Sequence, residues 1–158
     1  MADTQPDHPT ISAQEALQRL IEGNERFLCG EARFPTVCKE TLADLATGQH
    51  RYATILGCSD SRVPPELLFD ANFGELFIVR VAGNVVSAEV MGSLQYAGSH
   101  LHTPLFVVLG HQGCGAVAAA LDTQLLATPE GKSAVEGGRA TIIGAVYEIA
   151  TGKVRFLA

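Results

Sequence analysis

Nine residues in two short stretches, Cys58-Ser59-Asp60-Ser61-Arg62 and His111-Gln112-Gly113-Cys114, hold the side-chain types of a metal-dependent reaction centre. Two thiolates, an imidazole and a carboxylate make a tetrahedral set for zinc. Each stretch ends a short apolar run, residues 53–57 for the first and 105–110 for the second. Runs of that length and composition predict strands buried on both faces. As parallel neighbours, such strands bring their carboxyl ends side by side. Cys58, Asp60, His111 and Cys114 then converge in the crevice where open α/β sheets bind ligands.

The spacing sharpens the reading. Cys58-x-Asp60 aims two ligands to one side of an extended strand end, and a turn into a helix can close His111-x-x-Cys114 around one ion. Either pair alone is a weak signal, because a lone buried cysteine is usually a small hydrophobe. Two pairs at two strand ends are harder to reach by chance. A structural zinc site is closed by four protein ligands, whereas a catalytic one keeps a position for water. Arg62 can grip the Asp60 carboxylate bidentately and draw it off the metal. The bland alternative, a surface ion pair of small energetic value, fits poorly inside a ligand cluster. With Asp60 withdrawn, Cys58, His111 and Cys114 hold the ion, one per chain. Zinc there would bring the pKa of water from 15.7 to about 7 or somewhat above, making a nucleophile near neutral pH.

Something must carry these groups. A chain of 158 residues, 47% hydrophobic and 18% charged, suits one domain with a real core rather than a disordered segment. Its net charge of −6 and lack of a basic run argue against nucleic acid and anionic membranes as partners. No apolar stretch reaches the roughly 18 residues of a membrane span. The polar, acidic residues 1–10 lack the pattern of a signal peptide, so a cytoplasmic address is expected. Cys29 and Cys38 share no ligand spacing and read as ordinary reduced cysteines.

Residues 1–10 read as a flexible tail, and residues 11–158 as a single domain. Ser12-Ala-Gln-Glu15 is a capping box opening a helix with Leu17, Leu20, Ile21 and Phe27 on one face. Gly23 is expected to interrupt that helix or shape its end. A second helix near 39–47 turns Leu42, Leu45 and Ala46 inward and stops at Gly48. The pattern then becomes strand, loop, helix, repeated. A strand ends at Cys58, a short helix starts at Pro64-Pro65-Glu66, and a second strand covers 76–81. A helix follows over 87–101 with Val90, Leu94, Ala97 and Leu101 inward, then a third strand from Leu105. One more helix runs from Gly115 to about Leu126. The apolar runs 141–149 and 153–157, about Ala150-Thr151-Gly152, form a hairpin. The fold is thus α/β, with a mostly parallel sheet and an antiparallel edge strand.

The stretches Cys-Ser-Asp-Ser-Arg-Val-Pro at 58–64, Arg80-Val-Ala-Gly-Asn84 and Gly110-His-Gln-Gly-Cys-Gly-Ala116 resemble the β-class carbonic anhydrases. That resemblance implies a zinc enzyme interconverting carbon dioxide and bicarbonate. It implies a four-stranded parallel sheet in the order 2-1-3-4, extended by an antiparallel fifth strand. It also implies a homodimer or dimer of dimers, with the N-terminal helices extending onto a partner subunit. By position, Cys58, His111 and Cys114 match the zinc ligands, and Asp60 with Arg62 the catalytic dyad. Gln49 matches a glutamine that hydrogen-bonds substrate across the subunit interface. Phe77 and Tyr96 fall where aromatic residues line a narrow cleft, and Gly115 joins them as a substrate contact. Without the resemblance, Gln49 reads as a helix-end surface residue and the two aromatics as core.

The chain departs from the pattern in three ways. Only residues 115–140 lie between Cys114 and the last parallel strand, fewer than in typical members, so part of one sheet face is expected to lack its usual cover. There is no tryptophan, and Ile55 stands where bicarbonate-inhibited members carry one. Gln112 replaces a common serine. Two other readings keep the metal: hydrolysis of a linear analogue such as carbon disulfide or carbonyl sulfide, or a zinc-stabilised interaction protein. Asp60, Arg62 and Gln49 weigh against the last, since a purely structural site needs none of them.

Overall fold

The computed structural model describes residues 11–33, 39–122 and 141–157. The predicted tail, Cys38 and the chain beyond Asp122 toward the hairpin lie outside the described residues. The elements in order are α1 (Ala13–Cys29), α2 (Lys39–Thr47), β1 (Ala53–Gly57), α3 (Pro65–Leu68) and β2 (Leu76–Arg80). A 3-10 turn (Ala82–Asn84), α4 (Ala88–Ser99), β3 (Leu105–His111), α5 (Gly115–Asp122), β4 (Thr141–Glu148) and β5 (Lys153–Leu157) complete them.

The strands form one sheet in the order β2-β1-β3-β4-β5. The first four are parallel and β5 runs antiparallel beside β4, as expected. In register, Gly57 of β1 lies opposite both Arg80 of β2 and Leu109 of β3. Cys58 therefore leaves the sheet beside the start of the His111 stretch and beside Arg80, which is how three distant parts of the sequence reach one crevice.

β1 is buried throughout, whereas β3 alternates. Leu105, Val107, Leu109 and His111 are buried on one face, and Val108 on the other is 37% exposed. The expectation that β3 is buried on both faces is corrected accordingly. The buried face packs with Ile55, Ala145, Tyr147 and Val154 against Ala16 and Leu20 of α1 and Leu68 of α3. α4 packs against β2 and buries Val90 and Ala97, with Leu94 only half-buried; the helix ends at Ser99, short of the expected 101, and Leu101 is buried just beyond it. β2, at the sheet edge, is half-buried along its length.

α1 begins as its sequence dictates: Ser12 Oγ accepts the Glu15 N–H at 3.2 Å, and the Glu15 carboxylate accepts the Ser12 N–H at 2.7 Å. Gly23 neither breaks nor ends this helix. It is buried mid-helix, and a Cβ there would lie 1.8 Å from the Phe69 carbonyl oxygen, so only glycine lets α1 lie against the end of α3. α2 also differs from expectation. Leu42 is 54% exposed, Ala46 is exposed, and no residue of the helix is buried. Its inward contact is Leu45 against the Gly74 turn rather than against the sheet.

Two polar clusters tie α1 to the rest. Buried Asn24 donates to the Leu68 and Gly152 carbonyls at 3.0 and 3.1 Å and accepts the Val154 N–H at 2.8 Å. Asp70, at a left-handed φ of 45°, accepts from Arg26 Nε at 2.6 Å, Arg33 Nε at 3.0 Å and the Arg33 backbone N–H at 2.8 Å. Burial pushes the Asp70 carboxyl upward, but its hydrogen bonds with Arg26 and Arg33 hold it below the ordinary carboxylate value. No helix among the described residues is long and apolar enough to cross a membrane.

Candidate metal centre

β1 and β3 deliver Cys58 and His111, and the turn after β3 delivers Cys114 at the entry to α5. One ligand atom from each lies within 4.8 Å of the others. The two sulfurs are 3.9 Å apart, far beyond a disulfide bond. Two thiolates on one tetrahedral zinc stand about 3.8 Å apart, given Zn–S of about 2.3 Å. His111 Nδ1 donates to the Gln112 carbonyl at 3.1 Å, leaving Nε2 with a free lone pair. That Nε2 is buried and has no hydrogen-bond partner among the described residues. A buried, unpartnered imidazole nitrogen beside two close sulfurs is costly without an ion and satisfied with one. The donor set fits zinc.

The cluster also shapes its own thiols. Burial raises the pKa of Cys58, but the backbone N–H groups of Gly83 and Asp60, with His111 and Cys114, bring it down to about 7. The Gly83 N–H donates to Cys58 Sγ at 3.3 Å. It reaches the sulfur because Gly83 sits at φ 69°, where a Cβ would press within 3.3 Å of Ala116.

Asp60 and Arg62 form the predicted pair. Arg62 Nε donates to Asp60 Oδ1 at 2.9 Å and Nη2 to Oδ2 at 2.7 Å, while the Arg62 backbone N–H reaches Oδ1 at 3.0 Å. These bonds hold the Asp60 carboxyl well below the usual carboxylate range. Oδ2 remains 3.9 Å from His111 Nε2, beside the ligands without joining their triangle. Gly115, exposed, opens α5 next to Cys114.

The other predicted contacts lie elsewhere. Gln49 precedes β1 by four residues, so the length of that strand separates it from Cys58, roughly 15 Å at 3.3 Å per residue. Phe77 pairs in register with Thr54, near the same amino end. Tyr96 on α4 is 45% exposed, its ring 6.1 Å from Phe77 and 5.3 Å from His100. None of the three reaches the chain's own metal centre. Gly83 and Arg80 hold the centre's backbone and sulfur, yet neither side-chain type announces a ligand. The signal available for Arg80 was a guanidinium in an otherwise apolar strand.

Comparison with known proteins agrees with this geometry. Residues 53–130 match the sequence profile of a family described as carbonic anhydrase. Carbonic anhydrase 2 of Mycobacterium tuberculosis is 48% identical over 113 residues, 72% of this chain and 55% of that protein. The carbonic anhydrase of Mycolicibacterium smegmatis is 44% identical over 116 residues, 73% of this chain and 55% of its own length. The chain thus spans about half the length of the curated relatives it matches. Among solved structures, a Coccomyxa β-carbonic anhydrase in complex with acetazolamide superposes with a TM-score of 0.63 at 26% identity, covering 89% of this chain and 86% of that one. A tetrameric β-carbonic anhydrase from Sordaria macrospora shares the fold, with a TM-score of 0.66 at 22% identity over 91% of this chain and 98% of that one.

Proposed function

The chain belongs to the β-class carbonic anhydrases, and from that premise we propose that it hydrates carbon dioxide reversibly to bicarbonate and a proton at the Cys58–His111–Cys114 centre. Those three residues would hold one zinc ion per chain. Zinc held there supplies a Lewis acid, which makes water a competent nucleophile near neutral pH. The protein's own contribution begins with Arg62, whose two-pronged grip keeps the Asp60 carboxylate off the ligand set and so keeps a fourth position accessible. Asp60, ionised across the neutral range, accepts a hydrogen bond from the attacking water and orients it. His111 is fixed for its task by the Gln112 carbonyl, which keeps the proton on Nδ1 and the lone pair on Nε2.

Substrate is held by groups from two subunits: Gly115 beside the centre, and Gln49, Phe77 and Tyr96 from across a two-fold interface. An apolar slot suits carbon dioxide, which is small, uncharged and offers few hydrogen bonds. The working unit is therefore a homodimer or a dimer of dimers, with the N-terminal helices lying on the partner. Residues 11–158 act as one domain, in the cytoplasm.

The observation that carries this reading is the bidentate Asp60–Arg62 pair beside an unpartnered His111 Nε2. A purely structural zinc site has no use for a restrained carboxylate at its margin. Stopped-flow carbon dioxide hydration, with zinc quantified in the same sample, tests it. Stoichiometric zinc without hydration above the uncatalysed rate overturns it.

A further inference from the structure

β2 ends at the centre with Arg80. The guanidinium donates from Nε to the Cys58 carbonyl at 2.9 Å and from Nη2 to the Asp60 carbonyl at 2.6 Å. One rigid planar group thus spans the backbone of a metal-ligand residue and of the carboxylate residue two positions on. Among the described residues no carboxylate lies within ion-pairing distance of Arg80; Arg26, Arg33, Arg62 and Arg155 each have one. A half-buried guanidinium held by carbonyls alone is a costly way to end an apolar strand.

Strand pairing does not require it. The ladder between β1 and β2 continues through backbone bonds on either side, Val81 N–H to the Gly57 carbonyl at 3.1 Å and Ser59 N–H to the Val81 carbonyl at 3.2 Å. Beyond those bonds the Asp60 carbonyl is held by two donors, the Val63 N–H at 3.1 Å and the Arg80 guanidinium at 2.6 Å, and the charged, shorter donation from Arg80 is the one that ties it to β2. The direction of that peptide sets which way the Asp60 side chain leaves the backbone, toward Arg62 or toward the ligands.

We propose that Arg80 is a positioning residue that locks the Cys58–Asp60 turn in the conformation that keeps Asp60 on Arg62 and the fourth metal position open. The inference deepens the hydration reading and rests on it. Arg80 acts through Asp60 and touches neither metal nor substrate.

The test compares wild type, Arg80→Met, Arg80→Lys and Arg62→Ala, each loaded with zinc and, separately, with cobalt(II) as a spectroscopic substitute. The visible spectrum of cobalt reports whether a protein carboxylate has entered the coordination sphere. Arg80→Met is expected to keep one metal per chain, lose about 100-fold in kcat with KM little changed, and shift its cobalt spectrum toward that of Arg62→Ala. Arg80→Lys reaches one carbonyl instead of two, so about 10-fold loss and an intermediate spectrum are expected. If Arg80→Met fails to fold, the lysine variant carries the same comparison. A variant with wild-type kcat and spectrum overturns the proposal, and so does loss of bound metal with an unshifted spectrum in the remaining loaded fraction. An inactive wild type would sink the hydration reading alone, because the spectral comparison needs no turnover.

Discussion

The two ends of the parallel sheet are built differently. At the carboxyl end, Cys58, Asp60, Arg62, Arg80, Gly83, His111 and Cys114 converge, and hydrogen bonds within the group hold the Asp60 carboxylate, the Cys58 sulfur and the Cys58 and Asp60 carbonyls. At the amino end, Gln49 and Tyr96 are exposed, and Phe77 and Tyr96 pack on each other and on His100 rather than on any reactive group. One end is organised within a single chain. The other holds residues whose partners, on the proposed function, lie in a second copy. On that proposal the difference separates two tasks: metal chemistry in each protomer, and substrate contact in the pair.

The largest effect should come from the carboxyl end. Cys58→Ser or Cys114→Ser is expected to abolish stoichiometric zinc and hydration together, exceeding the roughly 100-fold penalty of an outer-shell change. Full metal content in Cys58→Ser would remove that residue from the ligand set and break the comparison at its root. Next comes Arg62→Ala, which leaves Asp60 without its restraint. Zinc should stay while hydration at neutral pH falls about 100-fold, and an undiminished rate would rule out the gating role.

At the amino end, Gln49→Ala should cost about 10-fold in hydration with zinc content and oligomeric state unchanged. Mixing Gln49→Ala with Cys58→Ser subunits asks the question more strictly. In a mixed dimer one of the two sites is intact at both positions, so activity above the sum of the parents should return. A fully active monomer in sedimentation at assay concentration would erase the distinction between the ends.

The smallest effect on turnover should come from between them. Asp70→Asn breaks a buried carboxylate cluster and should cost about 3 kcal/mol in denaturant unfolding while leaving the rate per folded molecule near wild type. The sign of its pH dependence is fixed. The native pKa is depressed, so the stabilisation is present above the unfolded value of about 3.9 and is lost as pH falls through the native one. The gap between wild type and Asp70→Asn should hold near neutrality and close in acid.

The carboxyl end was legible in the sequence because its residue types are rare together and the strands that carry them are short and apolar. The capping box and the hairpin followed from local pattern in the same way, whereas the strand order came with the family resemblance. What escaped notice depends on contacts between distant segments. Gly23 looked like a helix breaker because nothing nearby in sequence announces the Phe69 carbonyl. Leu42, Leu45 and Ala46 promised an inward face for α2, but periodicity does not say whether the surface it meets belongs to the same chain. Arg80 stood in the motif at 80–84, but nothing nearby in sequence announces the Cys58 and Asp60 carbonyls to which it donates.

The stitching of α1 to the final hairpin bears on how the protein is made. Asn24 takes its last hydrogen bonds from residues that follow it by 128 and 130 positions. At about 5–20 residues per second of synthesis, the helix waits on the order of 10 seconds for its docking partner. During that interval Ala16 and Leu20, fully buried in the finished protein, face solvent or a chaperone. The protein closes its core by joining α1 to a hairpin translated 128 residues later. A ribosome stalled before Val154 should therefore hold a chain whose N-terminal helix remains open to protease, however complete the metal ligands already are.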